Sequence, residues 1–121
     1  MNKTLIAPLL LASLCSVACS FAARSPDGYR EDTRAVLEKR SKDIKACYDE
    51  ELKKDKKAGG KVTITFTVAK ETGKFQDVKV KESDASEALQ ACVVKALDGL
   101  AIDPADQRDG KATFTYEFKA K

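Results

Sequence analysis

Two segments of this 121-residue chain alternate strictly between apolar and polar side chains, and this pattern restricts the fold more than any other feature of the sequence. The apolar positions are Val62, Ile64, Phe66 and Val68 in residues 61–69, and Ala112, Phe114, Tyr116 and Phe118 in residues 111–119. A period of two in segments rich in threonine, valine and aromatic residues predicts half-buried strands. We therefore expect a sheet with one apolar face and one polar face.

A further strand is predicted directly after the first. Residues 70–74 form a hairpin loop, in which Gly73 is placed to supply a positive φ. Residues 75–81 return as the second strand, but Phe75 and Val78 are three positions apart where alternation requires two. This slip predicts a β-bulge near Gln76 and Asp77.

Two helices complete the predicted elements. The first begins at Asp32 or Thr33, carries apolar residues at helical spacing and runs to about Lys53. The second helix is predicted to begin at a capping-box pattern that starts at Asp84, and this helix ends near Gly99. The element order is αββαβ, which predicts the α+β class. Because these elements bury their apolar faces against each other, we expect a two-layer sandwich with two helices on one face of a three-stranded antiparallel sheet of order 2-1-3.

The first residues have the pattern of a secretory signal peptide, with a cationic start, an apolar stretch and small residues before the cut. Two cleavage sites remain open. The residues before Cys19 resemble a lipobox, which predicts a signal of residues 1–18 and a lipid on Cys19. An ordinary cut after Ala22 instead removes residues 1–22.

The boundaries of the mature chain follow from this reading. Residues 23–31 show no apolar period and are predicted to be a short tether, and residues 32–121 are predicted to form the domain.

A membrane-spanning anchor is the alternative to a signal peptide. Pro8 and several serines and alanines dilute the apolar stretch, so that it falls short of about 20 strongly apolar residues.

Either cleavage site leaves the same pair of cysteines in the domain, Cys47 and Cys92. Both lie on the predicted buried faces of their helices, and export places them in an oxidising compartment. We therefore predict a disulfide between the two helices. The alternatives are two buried thiols and a redox-active pair, and no Cys-x-x-Cys motif supports the second of these.

Most of the mature chain resembles the AgmX/PglI C-terminal domain of myxobacterial and related envelope proteins. The matching segments are Ile44-x-x-Cys47-Tyr48-x-x-x-Leu52, residues 60–68, Gly73-Lys74-Phe75-x-x-Val78-Lys79-Val80, Leu89-x-x-Cys92-Val93-x-x-x-Leu97 and residues 110–118. That family is similar to the TonB C-terminal fold, so the resemblance implies the αββαβ arrangement also derived above. The chain departs from the family at Ile102-Asp103-Pro104, where an aromatic residue followed by proline is usual. The resemblance implies a fold and not energy transduction.

The composition argues against an enzyme and against a nucleic-acid partner. The sequence has no histidine and no tryptophan, and its formal net charge is only +3. Ser41 and Lys45 share a helix face, but spacing alone is weak evidence for nucleophilic catalysis. We expect no catalytic residues, no metal site and no cofactor.

The sequence favours a non-catalytic binding module of the cell envelope, located in the periplasm or lipid-anchored at the outer membrane. Its partner would be an envelope protein that pairs with the edge of the last strand, beside Thr113, Thr115 and Glu117. The membrane would be contacted only through a lipid on Cys19. The alternative function is a structural or assembly component of an envelope apparatus for motility or export, and the oligomeric state stays open.

Overall fold

A three-stranded antiparallel sheet in the order β2-β1-β3 supports three helices in the structure, a computed structural model that describes residues 21–120. The elements in chain order are α1 (Pro26–Glu38), α2 (Ser41–Lys54), β1 (Gly60–Val68), β2 (Phe75–Ser83), α3 (Glu87–Ala96) and β3 (Gly110–Phe118). The predicted α+β class and the 2-1-3 sheet order are confirmed, with three helices where two were predicted. Residues 1–20, which hold most of the predicted signal peptide and Cys19, lie outside the described residues.

The first predicted helix is in fact two helices, and the prediction was wrong about where it begins. Ser25 caps α1, because its side chain accepts a hydrogen bond from the backbone N–H of Gly28 at 3.1 Å. Pro26 occupies the first helical position, where a missing N–H costs nothing. The two helices separate at Arg40, whose Nη1 donates to the carbonyl of Ala96 at 2.9 Å and so contacts the last turn of α3.

The segment predicted to be a tether, residues 23–31, is part of the fold. Residues 26–31 are the start of α1, and residues 23–25 follow a short parallel bridge between Ala22 and Asp106. The N–H of Ala22 donates to the carbonyl of Ala105 at 2.8 Å, and the N–H of Gln107 donates to the carbonyl of Ala22 at 3.0 Å. Backbone pairing with the loop before β3 therefore holds this segment in the fold, although its own sequence pattern does not predict a defined structure.

The strands of the sheet differ in regularity. β1 and β3 pair without interruption from Gly60 with Phe118 to Val68 with Gly110. The pairing of β1 with β2 shifts register twice, and one shift lies where Asp77 has a φ of 55°. The predicted bulge near Gln76 and Asp77 is thus confirmed, as is the positive φ of Gly73, whereas the second shift was not predicted.

The start of α3 also differs from its prediction. Ser86 is the N-cap, and its side chain accepts a hydrogen bond from the N–H of Leu89 at 3.1 Å. The predicted capping box from Asp84 is wrong, because the Asp84 carboxylate accepts from the N–H of Lys61 at 2.6 Å instead. Asp84 thereby ties the beginning of β1 to the chain that leads into α3.

One apolar core lies between the helices and the inner face of the sheet. Its buried side chains are Val36, Leu37, Ile44, Cys47, Val62, Ile64, Phe66, Val68, Phe75, Leu89, Val93, Leu97, Leu100, Ile102 and Phe118. The predicted Cys47–Cys92 disulfide is present and joins α2 to α3. In the chain-entropy account, closing a loop with a sequence separation of 45 stabilises the fold by about 4 kcal/mol.

Candidate binding groove beside strand β3

β3 forms one edge of the sheet. Its pairing with β1 is continuous over the whole strand, and within residues 21–120 no other strand lies on its outer side. An edge strand presents unpaired backbone N–H and C=O groups at alternate residues, and these can pair with another chain. β3 is therefore a straight strand edge that can accept a further strand.

The opposite edge, β2, is less suited to pairing. Two register shifts interrupt it, and bulges of this kind twist an edge and break its regular row of donors and acceptors. Charged side chains at Lys79 and Lys81 are exposed along it. The two edges of this sheet thus differ, and β3 is the one with regular geometry.

A groove of about 590 Å³ lies between α1 and β3, and we call it the α1–β3 groove. Its buried lining is mainly apolar and comes from Leu37 of α1 and from Phe66 and Val68 of β1, with buried Thr33 and half-buried Phe114 beside them. A strand added beside β3 would lie next to this groove. Side chains on the inner face of that strand would then reach the groove's apolar lining.

Glycine at position 110 lets α1 approach the start of β3. A Cβ at Gly110 would lie 2.8 Å from two carbons of the Tyr29 ring, closer than side chains normally pack. The Tyr29 hydroxyl donates to the carbonyl of Arg108 at 3.0 Å, and burial raises the pKa of that hydroxyl, with Asp106 adding to the effect. The ring of Tyr29 therefore closes one end of the α1–β3 groove.

Four exposed cationic side chains surround the groove, and we call them the cationic rim: Arg30, Arg34, Arg108 and Lys111. The Arg34 guanidinium lies 5.7 Å from the centre of the Phe114 ring, a cation–π distance. Asp109 is the acidic residue of the lining, and its carboxylate already accepts a hydrogen bond from the N–H of Lys70 at 2.7 Å. The rim is thus predominantly positive.

The cations of the rim are only partly neutralised. Arg30 lies 3.7 Å from Asp27, but both side chains are more than 70% exposed, so this pair contributes little. Arg108 lies 3.5 Å from Asp106. Arg34 and Lys111 form no ion pair with any residue of the described part of the chain. Together with Arg30, whose pair with Asp27 contributes little, they are available to an anionic partner.

A buried carboxylate holds the N-terminal segment against the loop that leads into β3. Asp106 is fully buried and accepts hydrogen bonds from the N–H of Arg24 at 2.9 Å and the N–H of Arg108 at 3.1 Å. Burial on its own raises the pKa of the Asp106 carboxyl, but these bonds and the Arg108 charge outweigh it, so the pKa lies below its ordinary value. Asp106 therefore stays ionised and fixes the position from which α1 starts.

The structure places the predicted edge residues on the polar face of β3. Thr113, Thr115 and Glu117 are all exposed. The Thr115 hydroxyl lies 2.9 Å from that of Thr63 on β1. Glu117 pairs with Lys119 at 3.0 Å, and the hydrogen bond from Lys119 lowers the pKa of Glu117. Thr113 also borders the α1–β3 groove, whereas Thr115 and Glu117 are not among its lining residues.

Sequence reasoning missed the groove because it missed the start of α1. The signal was present, since Ser25 followed by Pro26 is a helix-start pattern and Tyr29, Thr33 and Leu37 recur at intervals of four. Arg30 and Arg34 share that interval and lie one turn apart. A helix that begins after Ser25 would have brought Arg30 into the domain, one turn before Arg34.

Two further features bear on the class of site. Across residues 21–120, no helix is both long enough and apolar enough to cross a membrane. The same residues hold no group of three or more side chains placed to bind a metal ion.

No family model matches the chain, and no match was found among curated proteins or solved structures.

Proposed function

We propose that this chain is a non-catalytic binding module of the cell envelope, which takes an extended segment of a partner protein as a fourth strand beside β3. The observation that carries this proposal is the uninterrupted pairing of β3 with β1, next to a groove that can take side chains of the added strand. Addition of a strand to a sheet edge supplies affinity through backbone hydrogen bonds and specificity through adjacent pockets.

The chemistry of the groove supports binding rather than catalysis. Its lining consists mainly of aliphatic, aromatic, arginine and lysine side chains, and the sequence has no histidine. Such groups bind and orient a ligand, and none of them is paired with a general base in the arrangement that nucleophilic catalysis uses.

An exported location supports the same proposal. The N-terminal pattern is that of a signal peptide, and a disulfide such as Cys47–Cys92 is stable in an oxidising compartment. We place the protein in the periplasm, or at the outer membrane if Cys19 carries a lipid. The resemblance to the AgmX/PglI C-terminal domain, with its TonB C-terminal-like fold, agrees with an envelope role.

The alternative is a structural or assembly component of an envelope apparatus. One observation favours it: a regular edge such as β3 can pair with β3 of a second copy by two-fold symmetry. Sedimentation over a wide range of concentration separates the two functions. A concentration-dependent dimer that the variant Thr115→Pro abolishes would support assembly, and a monomer at high concentration would count against it.

Site-specific photo-crosslinking in the cell envelope tests the binding proposal. A photoreactive side chain at Thr113 or Thr115 lies beside the β3 edge, and the same side chain at Lys79 or Lys81 lies along β2 and is the matched control. We expect a discrete cross-linked partner from the β3 positions only. Equal cross-linking from both edges, or none from β3, would contradict the proposal.

A further inference from the structure

We infer that the segment recognised by this module is acidic, with carboxylates at alternate positions that bind Arg30 and Arg34 across the α1–β3 groove. The inference rests on the proposed function and specifies the chemistry of the partner. It is carried by charge complementarity together with the spacing of the two arginines.

The geometry of an added strand determines which of its side chains meet the cationic rim. Successive side chains of a strand point to opposite faces, so every second one would lie on the inner face, level with Ala112 and Phe114. The inner face is also the side on which α1 lies. Side chains at alternate positions of the added strand would therefore approach Arg30 and Arg34.

The spacing of the two arginines fits this arrangement. Residues four apart on a helix have Cβ atoms about 5–6 Å apart, and Arg30 and Arg34 are such a pair. Alternate residues on a strand lie about 7 Å apart. Two carboxylates on the inner face can thus each meet one guanidinium, and arginine binds a carboxylate through two parallel hydrogen bonds.

Glutamate suits the position better than aspartate. Its methylene groups can pack on Phe114 and Leu37 while its carboxylate reaches the rim, as long charged side chains commonly do along apolar surfaces. Lys111 adds a further positive charge at the same end of β3. An extended glutamate-bearing segment therefore satisfies the strand edge, the apolar lining and the cationic rim together.

Binding of defined peptides to the full, disulfide-bonded chain tests the inference. The probe is a fluorescently labelled ten-residue peptide in which glutamate alternates with threonine, and its neutral counterpart has glutamine at every glutamate position. By fluorescence anisotropy in low salt, we expect the glutamate peptide to bind about tenfold more tightly than the glutamine peptide. High salt should remove the difference, because exposed charges are screened.

Two variants locate the charge effect. Arg34→Glu reverses the charge of an exposed residue of the rim and should abolish the preference for glutamate. Lys79→Glu makes the same charge change on exposed β2 and should leave the preference intact. Loss of the preference in both variants would indicate a response to net charge alone and would overturn the inference.

Further outcomes separate this inference from the proposed function. N-methylation of the peptide at alternate residues blocks its backbone hydrogen bonds without any change to the protein. Equal binding of the glutamate and glutamine peptides, lost on N-methylation, would overturn the acidic preference and leave strand addition standing. Glutamate-dependent binding that N-methylation does not affect would contradict strand addition itself. Binding of phosphatidylglycerol vesicles through Arg34, without binding of the peptide, would replace the acidic segment by a lipid surface.

Discussion

The backbone N–H of Arg24 donates to Oδ2 of Asp106 at 2.9 Å and joins residues that are 82 positions apart in the chain. The Arg24 guanidinium also bonds the carbonyl of Pro104 at 2.7 Å and the carboxylate of Asp32 at 2.6 Å. This cluster connects the entry of α1 to the loop before β3. Both walls of the α1–β3 groove consequently depend on one buried carboxylate.

Replacement of that carboxylate should weaken the whole fold. Asp106→Asn keeps the shape of the side chain but loses its charge. Its amide nitrogen would replace one carboxylate oxygen that now accepts a hydrogen bond from a backbone N–H, and two donors would then face each other. We expect the free energy of unfolding to fall by about 1–3 kcal/mol, measured by urea denaturation. Asp103→Asn changes an exposed carboxylate of the same loop and should have little effect. Equal stability of the two variants would show that Asp106 has no special role.

Ionisation of the same carboxylate should make the stability of the fold depend on pH. The folded protein holds the Asp106 proton less tightly than the unfolded chain does, so this group stabilises the fold above its ordinary pKa of 3.8. The contribution is lost as the pH falls through the lower pKa of the folded state. We expect the stability difference between the parent chain and Asp106→Asn to be constant at neutral pH and to shrink below about pH 4. A difference that stays constant to pH 2 would contradict the assigned ionisation.

The cleavage site of the predicted signal peptide should affect stability. A chain that begins at Ala23 lacks the two backbone hydrogen bonds that Ala22 makes with the loop before β3, whereas a chain that begins at Cys19 keeps them. The shorter chain should be less stable by about 1–2 kcal/mol. Thermal unfolding of chains that begin at Ser20 and at Ala23 measures this, and intact mass of the native protein identifies which chain the cell makes. Equal midpoints would mean that the bridge at Ala22 contributes nothing.

Close packing of α1 on β3 makes a prediction for Gly110. In Gly110→Ala the new methyl group would meet the Tyr29 ring, so α1 must shift or the strand must bend. We expect a loss of about 1–3 kcal/mol in the free energy of unfolding. Thr113→Ala, at an exposed position of the same strand, is the control. A Gly110→Ala variant as stable as this control would show that α1 is not held in place by close packing.

Reduction of the disulfide should lower stability strongly. The Cys47–Cys92 bond closes a long loop in a small domain, so its removal should cost about 4 kcal/mol. Thermal midpoints of the chain with and without reductant, and of Cys47→Ser/Cys92→Ser, provide the measurement. An unchanged midpoint would contradict a stabilising role for the bond.

Sequence patterns predicted the elements whose signals are local. The strict alternation around Ile64 and Phe114 located β1 and β3, and the slip between Phe75 and Val78 located a bulge, because period and face are coupled in a strand. The cysteine pair was predictable since both residues lie on apolar helix faces, and the expected export would favour oxidation.

The division between α1 and α2 was not predictable in the same way. Leu37 and Ile44 are seven residues apart, which keeps the apolar stripe in phase across the break, and no glycine or proline interrupts it. The break instead coincides with the contact of Arg40 with Ala96, which lies 56 positions away in the chain. The α1–β3 groove depends on this tertiary contact and on the Ala22 bridge, so it could not be read from a single segment.

The difference between the two strand edges has a consequence for stoichiometry. The sheet can be extended by one strand at β3, whereas the register shifts along β2 disfavour a strand at the other edge. Each copy of the chain would therefore hold one partner segment at a time. A dimer formed through β3 would occupy the same edge. Self-association and partner binding would then exclude each other, and an increase in protein concentration would compete with the partner.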